Sequence, residues 1–341
     1  MPGRATVSPD GKWIAALKPA AGGSIFETIQ LFTIEGAPTR ELTDTGVFLG
    51  WLPDSSGLFV APTVPQRAPP LAIVNLDGRV ISTELQLSHQ TLSRDGTLIV
   101  AEQQEGCCVS VTQREIRVAR RDGGGTRTLV LSQITAESQP VALLGVDAGD
   151  RAVYREGTKI MRIPLIGGAA TTLAASSDYA RVTAGSTSPD GAAILARGYE
   201  PTRWYVIAGD RVFAWDDAVG SVVEDGSSEV VRKGQGDAAL WVGPHAFLAR
   251  GPSGALFSVD AATSTRVPHG ARLVDGDVVL AHQRGTLLVV RGGVVVLIDM
   301  STGVVSETGL DLRPNSEGAR AAALPSGGFV LSSSSSTYRI D

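Results

Sequence analysis

The sequence predicts an all-β fold made by repetition, and three observations carry that expectation. Short apolar or alternating runs of four to eight residues, rich in Val, Ile, Leu and Thr, fill the chain, and capped stretches of helical period are hard to find. Each run is bounded by Gly, Pro, Asp or Ser-Gly turn signals, and the 341 residues include 40 Gly and 18 Pro. One turn sequence returns at a near-constant interval. Hydrophobic residues make up 43% of the chain, too much for a disordered segment. The glycines have no three-residue period, which excludes a collagen, and long Ala/Glu/Lys/Leu runs are missing, which excludes a coiled coil.

The recurring turn is Ser8-Pro9-Asp10-Gly11, just before the apolar run Trp13–Leu17. It returns as Leu52-Pro53-Asp54-Ser55-Ser56-Gly57, Ser93-Arg94-Asp95-Gly96 and Ser188-Pro189-Asp190-Gly191. Pro presets φ, Asp can bond the backbone ahead of it, and Gly takes the positive φ that a tight hairpin needs. Weaker versions are Asp147-Ala148-Gly149-Asp150, Gly243-Pro244-His245, Arg284-Gly285 and Pro325-Ser326-Gly327-Gly328. Taken at positions 9, 53, 94, 148, 189, 243, 284 and 325, the spacings are 44, 41, 54, 41, 54, 41 and 41 residues. A second turn recurs downstream in the repeats, as in Leu76-Asp77-Gly78, Arg121-Asp122-Gly123-Gly124 and Asp299-Met300-Ser301-Thr302-Gly303. It joins an apolar strand to a more polar one. The expectation is a single domain over residues 1–341, a β-propeller of four-stranded antiparallel blades, with eight blades favoured over seven. The last repeat offers three strands only, Ala319–Ala323, Phe329–Ser332 and Thr337–Ile340.

The Ser-Pro-Asp-Gly turn before a short apolar strand, followed by a strand ending in Gly-Gly or Asp-Gly, resembles the β-propeller repeats of TolB-like proteins. The propeller domains of prolyl-peptidase relatives are similar, and Asp299–Gly303 resembles a quinoprotein-type repeat. The resemblance spans essentially the whole chain. It implies a bacterial propeller, and it is specific for fold rather than function.

Charge and targeting signals narrow the function classes. The net charge is −5, and acidic and basic residues are interspersed. The densest basic stretch, Arg114, Arg117, Arg120 and Arg121, contains Glu115 and is followed by Asp122, so it reads as a solvated strand face and not as a nucleic-acid surface. No apolar run approaches the roughly 18 residues of a membrane span, and membrane insertion is not expected. The chain opens Met-Pro-Gly-Arg and enters the first repeat within a few residues. This favours a mature periplasmic or extracytoplasmic segment over a cytoplasmic protein. The two cysteines, Cys107 and Cys108, are adjacent and give neither a disulfide framework nor a zinc spacing.

Searches for chemistry return little. There is no Gly-x-Ser-x-Gly elbow, no His-Glu-x-x-His, no Cys-x-x-Cys and no phosphate-cradling glycine loop. Four histidines occur, His89, His245, His269 and His282; three sit at blade connections or strand ends, and His89 and His282 are placed to approach the channel mouth. No cofactor is expected, catalytic residues are assigned to none of these groups, and no metal ligands are assigned.

Blade geometry supplies the functional expectation. With strands A to D counted from the axis outward, the compact A–B and C–D turns share one end of the ring. The irregular B–C and D–A connections share the other, where function usually sits. Among those connections, Arg197-Gly198-Tyr199-Glu200-Pro201-Thr202-Arg203-Trp204-Tyr205 stands out, because Arg, Trp and Tyr are enriched at binding hot spots. Tyr199, Arg203, Trp204 and Tyr205 are therefore the candidate binding residues. The competing expectation is that Trp204 and Tyr205 begin a strand and pack between blades. The leading reading is a non-enzymatic, monomeric scaffold that binds another protein or a polymer through the loop end. The alternative is a lyase- or glycosidase-type enzyme with its site at the channel mouth, built from carboxylates, His or Tyr of several blades.

Overall fold

The computed structural model describes residues 5–8, 10–19, 27–35, 37–44, 47–52, 54–61, 70–86, 90–105, 113–133, 141–199, 203–216, 218–224, 239–312, 320–324, 326–332 and 337–341. Cys107, Cys108, His89 and the connections at 20–26 and 62–69 lie outside them.

Eight antiparallel sheets follow one another along the chain as the blades of a propeller. Blade 1 holds β1 (Ala5–Val7), β2 (Trp13–Pro19), β3 (Glu27–Thr33) and β4 (Pro38–Asp44); blade 2 holds β5 (Val47–Trp51), β6 (Gly57–Ala61), β7 (Pro70–Asn75) and β8 (Val80–Gln86). Blade 3 holds β9 (Gln90–Leu92), β10 (Leu98–Glu105), β11 (Gln113–Arg120) and β12 (Thr126–Gln133); blade 4 holds β13 (Ala142–Val146), β14 (Arg151–Glu156), β15 (Lys159–Pro164) and β16 (Thr171–Ala175). A 3-10 turn at Ser177–Arg181 leads into blade 5, with β17 (Val182–Thr187), β18 (Ala193–Gly198), β19 (Arg203–Ala208) and β20 (Arg211–Ala214). Blade 6 holds β21 (Ser221–Val222), β22 (Ala246–Arg250), β23 (Ala255–Asp260) and β24 (Arg266–Arg272); blade 7 holds β25 (Val278–Gln283), β26 (Thr286–Arg291), β27 (Val294–Asp299) and β28 (Val305–Asp311). Blade 8 holds β29 (Arg320–Ala323), β30 (Phe329–Ser332) and β31 (Thr337–Ile340), three strands among the described residues. Within each sheet the spatial order is the chain order.

The turn chemistry expected from sequence is present, with the same bonds in blades 1, 3 and 5. In blade 1 the Ser8 hydroxyl donates to Asp10 at 2.6 Å and accepts the Trp13 N–H at 3.0 Å, while Gly11 sits at φ +69° and returns its N–H to the Ser8 carbonyl at 2.8 Å. The same arrangement joins Ser93 to Asp95 and Leu98 in blade 3, and Ser188 to Asp190 and Ala193 in blade 5. Each turn also reaches the next blade. Asp10 N–H donates to the Ser55 hydroxyl at 2.8 Å, Arg94 N–H to Asp150 at 2.9 Å, Ala148 N–H to the Gly191 carbonyl at 2.8 Å and Asp190 N–H to the Pro244 carbonyl at 3.2 Å. Serine and aspartate are thus spent twice, first on closing the hairpin and then on locking neighbouring blades.

Both faces of a blade are covered, so the core lies between blades. Leu31 and Val60 share the interface of blades 1 and 2, Ile116 and Tyr154 that of blades 3 and 4, and Leu248 and Leu287 that of blades 6 and 7. Each such fully buried aliphatic side chain contributes about 1.5–3 kcal/mol. Val7 and Ile14 of blade 1 pack on Leu324 and Val330 of blade 8, which closes the ring. Among the described residues no strand is exchanged there: the sheet of blade 1 is built from the first four strands and that of blade 8 from the last three.

Candidate functional site

At the end of the ring that carries the B–C and D–A connections, charged side chains stand beside the start of the innermost strand. They come from strand B of blades 3 to 7: Glu102, Arg155, Arg197, Arg250 and Arg291. Register fixes their height. Arg155 pairs with Ala142 and Arg250 with Ser221, the first residues of β13 and β21, and Glu102 lies one residue beyond the pair Ala101–Gln90. Most of them reach forward to the next blade. Glu102 accepts the Leu143 N–H of blade 4 at 3.0 Å and the Arg114 guanidinium at 3.1 Å. Arg155 donates from Nε to the Val182 carbonyl of blade 5 at 2.7 Å. Arg197 pairs with Glu224 at 2.9 Å, Arg250 with Asp275 at 2.5 Å and Arg291 with the buried Asp277 at 2.7 Å.

Burial sets the electrostatics of this belt. Glu102 is 7% exposed, and desolvation pushes its carboxyl above the ordinary range, although the Leu143 N–H and the charges of Arg114 and Arg155 pull the other way. Arg155 is 3% exposed, and desolvation lowers its pKa, with Glu102 opposing and Arg114 adding to the fall.

The four residues expected to bind lie in this region. Arg197 is the hub: its guanidinium stands 5.4 Å from the Tyr199 ring centroid and 5.6 Å from that of Trp204. Trp204 is 5% exposed and belongs to the core between blades 5 and 6. Tyr205, one residue on, points the opposite way into the core between blades 4 and 5, edge-on to Tyr179 with ring centroids 5.3 Å apart. Its hydroxyl donates to the Asp178 carbonyl at 3.2 Å. Burial first, and then the Asp178 charge, pushes the Tyr205 phenol up. Arg203 pairs with Asp178 at 3.3 Å on a solvated edge. Tyr199 and Arg203 therefore present accessible surface, and Trp204 and Tyr205 support them from beneath.

Several buried polar atoms at this end have no hydrogen-bond partner: Gln90 Oε1, Gln103 Nε2, Arg114 Nε, Arg117 Nε, Arg155 Nη1 and Thr183 Oγ1. Unsatisfied buried groups are few in native proteins, and each calls for an explanation. At the opposite end the polar groups of the turns are mostly engaged, as described above. The turn end also holds such atoms: His269 Nε2 and Gln283 Oε1 are buried without a partner, and His269 lines a cleft of about 410 Å³ between blades 6 and 7 with Val242, Ser258, His282, Arg284 and Met300. His282 sits there, at the turn end of β25, and its Nε2 accepts the Gly285 N–H at 3.3 Å. Burial holds both imidazoles below the usual histidine range, and His269 adds to the effect on His282. His245 bridges two turns, with Nδ1 2.8 Å from Asp190 and Nε2 3.0 Å from Asp260. Among the described residues no group of three or more His, Cys, Asp or Glu side chains is placed to hold a metal ion. No helix among them is long and apolar enough to cross a membrane.

The charged belt escaped the sequence reading, yet a signal for it exists. An arginine follows an apolar run in Tyr154-Arg155, Leu195-Ala196-Arg197, Leu248-Ala249-Arg250 and Val289-Val290-Arg291, always at the end of strand B.

Neither a protein-family model nor a curated protein sequence matches the chain. Solved propellers do. The C-terminal WD40 domain of Sif2 is 11% identical with a TM-score of 0.55, over 98% of this chain and 94% of that one. An oligogalacturonate lyase in complex with manganese is 12% identical with a TM-score of 0.52, over 83% of each chain. TolB from Acinetobacter baumannii also matches, at 16% identity and a TM-score of 0.38, over 60% of this chain and 51% of that one. At these identities the similarity speaks for the fold.

Proposed function

We propose that this propeller is a binding scaffold that engages another protein or a polymer through the B–C/D–A end of blades 3 to 6. The accessible pair Tyr199 and Arg203 on a buried aromatic base carries this reading. At the turn end, Ser8, Asp10, Ser55, Asp95, Asp150, Asp190 and His245 are engaged in closing hairpins and clasping neighbouring blades. At the loop end, Tyr199 and Arg203 stand on a rigid aromatic base, and buried polar atoms of blades 3 to 5 are left without partners. A rigid aromatic and arginine surface flanked by unsatisfied polar groups suits a partner that brings its own hydrogen bonds.

Periplasmic or other extracytoplasmic placement belongs to the same proposal, on the strength of the TolB-like repeats. The enzymatic alternative has one foothold, Glu102, a buried carboxyl of raised pKa at the loop end of blade 3. It needs a second acid or base converging on the same point.

Affinity capture from the native host tests the proposal. The doubly substituted Tyr199→Ala/Arg203→Ala protein is expected to fold as the wild type does and to lose the captured partner. Undiminished capture by that variant would contradict it.

A further inference from the structure

Among the described residues, the strand B charges of blades 3 to 7 follow a rule with one exception. Glu102 has Arg114, Arg197 has Glu224, Arg250 has Asp275 and Arg291 has Asp277. Arg155 has no carboxylate. It is also the most buried of the five arginines and glutamates in this series, at 3% exposure. Its Nε donates to the Val182 carbonyl at 2.7 Å, and its buried Nη1 has no partner. Thr183, the residue after that carbonyl, is half-buried, and its Oγ1 is likewise buried without a partner. Glu102 lies within Coulomb reach of Arg155, but its oxygens accept from Arg114 and the Leu143 N–H and no hydrogen bond joins it to Arg155. Two guanidiniums, Arg114 and Arg155, thus share the field of one carboxylate.

A buried guanidinium that shares its only counter-charge with another is unfavourable, and removing the partner of a buried ion pair is among the most destabilising of single changes. A buried polar group left without a partner calls for an explanation, and a bound ion is one. Guanidinium N–H groups in a fixed fork match the oxygens of a carboxylate or a phosphate, and a threonine hydroxyl can donate a further bond.

We infer that Arg155 and Thr183 bind an oxyanion, the carboxylate or phosphate group of a ligand, at the junction of blades 4 and 5 on the loop end of the ring. This deepens the proposed function, since it rests on the loop end being the binding end and gives the ligand an acidic group. In the blade 5–6 junction, Glu224 of the chain itself supplies the anion to Arg197. In the blade 4–5 junction the ligand supplies it.

Thermal unfolding of the purified protein tests the site without any partner. Sodium phosphate and sodium glutarate are titrated separately against sodium chloride at matched ionic strength, with wild type, Arg155→Met and Thr183→Val. The expected result is a saturable rise in Tm of several degrees with at least one of the two anions, because a ligand that binds only the folded state stabilises it by mass action. Response to phosphate alone identifies a phosphate ligand, and response to glutarate alone a carboxylate. Arg155→Met abolishes the rise, and Thr183→Val moves its midpoint to about tenfold higher anion concentration, the loss of one hydrogen bond to a charged group. No saturable rise in the wild type, or wild-type curves in both variants, would overturn the inference. Should Arg155→Met fail to fold, a wild-type curve for Thr183→Val overturns it alone. An intact anion response with no captured partner would sink the scaffold reading and leave the anion site standing.

Discussion

The imidazole of His245 lies 2.8 Å from the carboxylate of Asp190, the residue that organises the Ser-Pro-Asp-Gly turn of the preceding blade. The other ring nitrogen faces Asp260, so both nitrogens meet acceptors, and only the imidazolium has two N–H groups to offer. The bond from Asp190 raises the His245 pKa, with the charges of both aspartates adding to it. Burial alone would push the Asp190 carboxyl up, but the Ala192 N–H, His245 and the Ser188 hydroxyl together hold it below the usual range.

A raised folded-state pKa means that this clasp stabilises fully below the ordinary histidine pKa of about 6.5 and fades as pH rises through the folded value. The aspartates have the opposite sense: their contribution is present above about 3.8 and fades as pH falls through their lowered values. His245→Gln is therefore expected to cost most in Tm between about pH 5 and 6, and least near pH 9. A Tm difference from wild type that is constant across this range would show that the bridge is not ionic.

Gly191 holds φ +73°, and a Cβ there would lie 3.1 Å from the Ala148 N atom of the preceding blade. Gly191→Val is expected to lose about 1–3 kcal/mol of stability from the backbone conformation, and denaturant unfolding measures it. A midpoint equal to wild type would remove the turn from its place in the fold.

Glu102 ties strand C of its own blade through Arg114 and the next blade through the Leu143 N–H. Glu102→Ala leaves a charge and an amide unpaired, and about 3–5 kcal/mol of destabilisation is expected. Replacing the pair, as Glu102→Leu with Arg114→Met, is expected to recover much of that loss. Equal losses for the single and double variants would mean that the ion pair is not the source.

Trp204 and Arg203 are neighbours with opposite fates. Trp204→Ala opens a void between blades 5 and 6 and is expected to cost about 3–5 kcal/mol. Arg203→Ala removes a solvated ion pair and is expected to cost at most about 1 kcal/mol. Chemical denaturation of the two variants separates support from surface.

The hairpin rule was legible because its chemistry is local. Ser8 bonds Asp10 and Trp13, and Gly11 bonds Ser8, all within six residues of one another. Blade number followed from counting that rule, and the eighth blade is present. How the ring closes was not legible, because the packing of Val7 and Ile14 on Leu324 and Val330 joins residues more than 300 positions apart. The direction of Trp204 and Tyr205 was harder to read. Alternation tells which residues share a face, but in a propeller both faces of a blade are covered, so adjacent aromatics are both buried. The charged belt was hidden for a different reason. Arg155 meets Val182 and Arg197 meets Glu224 across a blade boundary, 27 residues apart in each case. No local pattern specifies such a contact. The cleft lined by His269 and His282 was not legible either, because it joins side chains of different blades.

Measuring stability and capture together on variants of the two ends tests the central claim most directly. Asp95→Ala and His245→Gln represent the turn end, and Tyr199→Ala and Arg203→Ala the loop end. The turn-end variants are expected to lower Tm and still retain the partner, while the loop-end variants keep Tm and release it. Loop-end variants that capture as the wild type does, beside turn-end variants that lose the partner at unchanged Tm, would contradict the account.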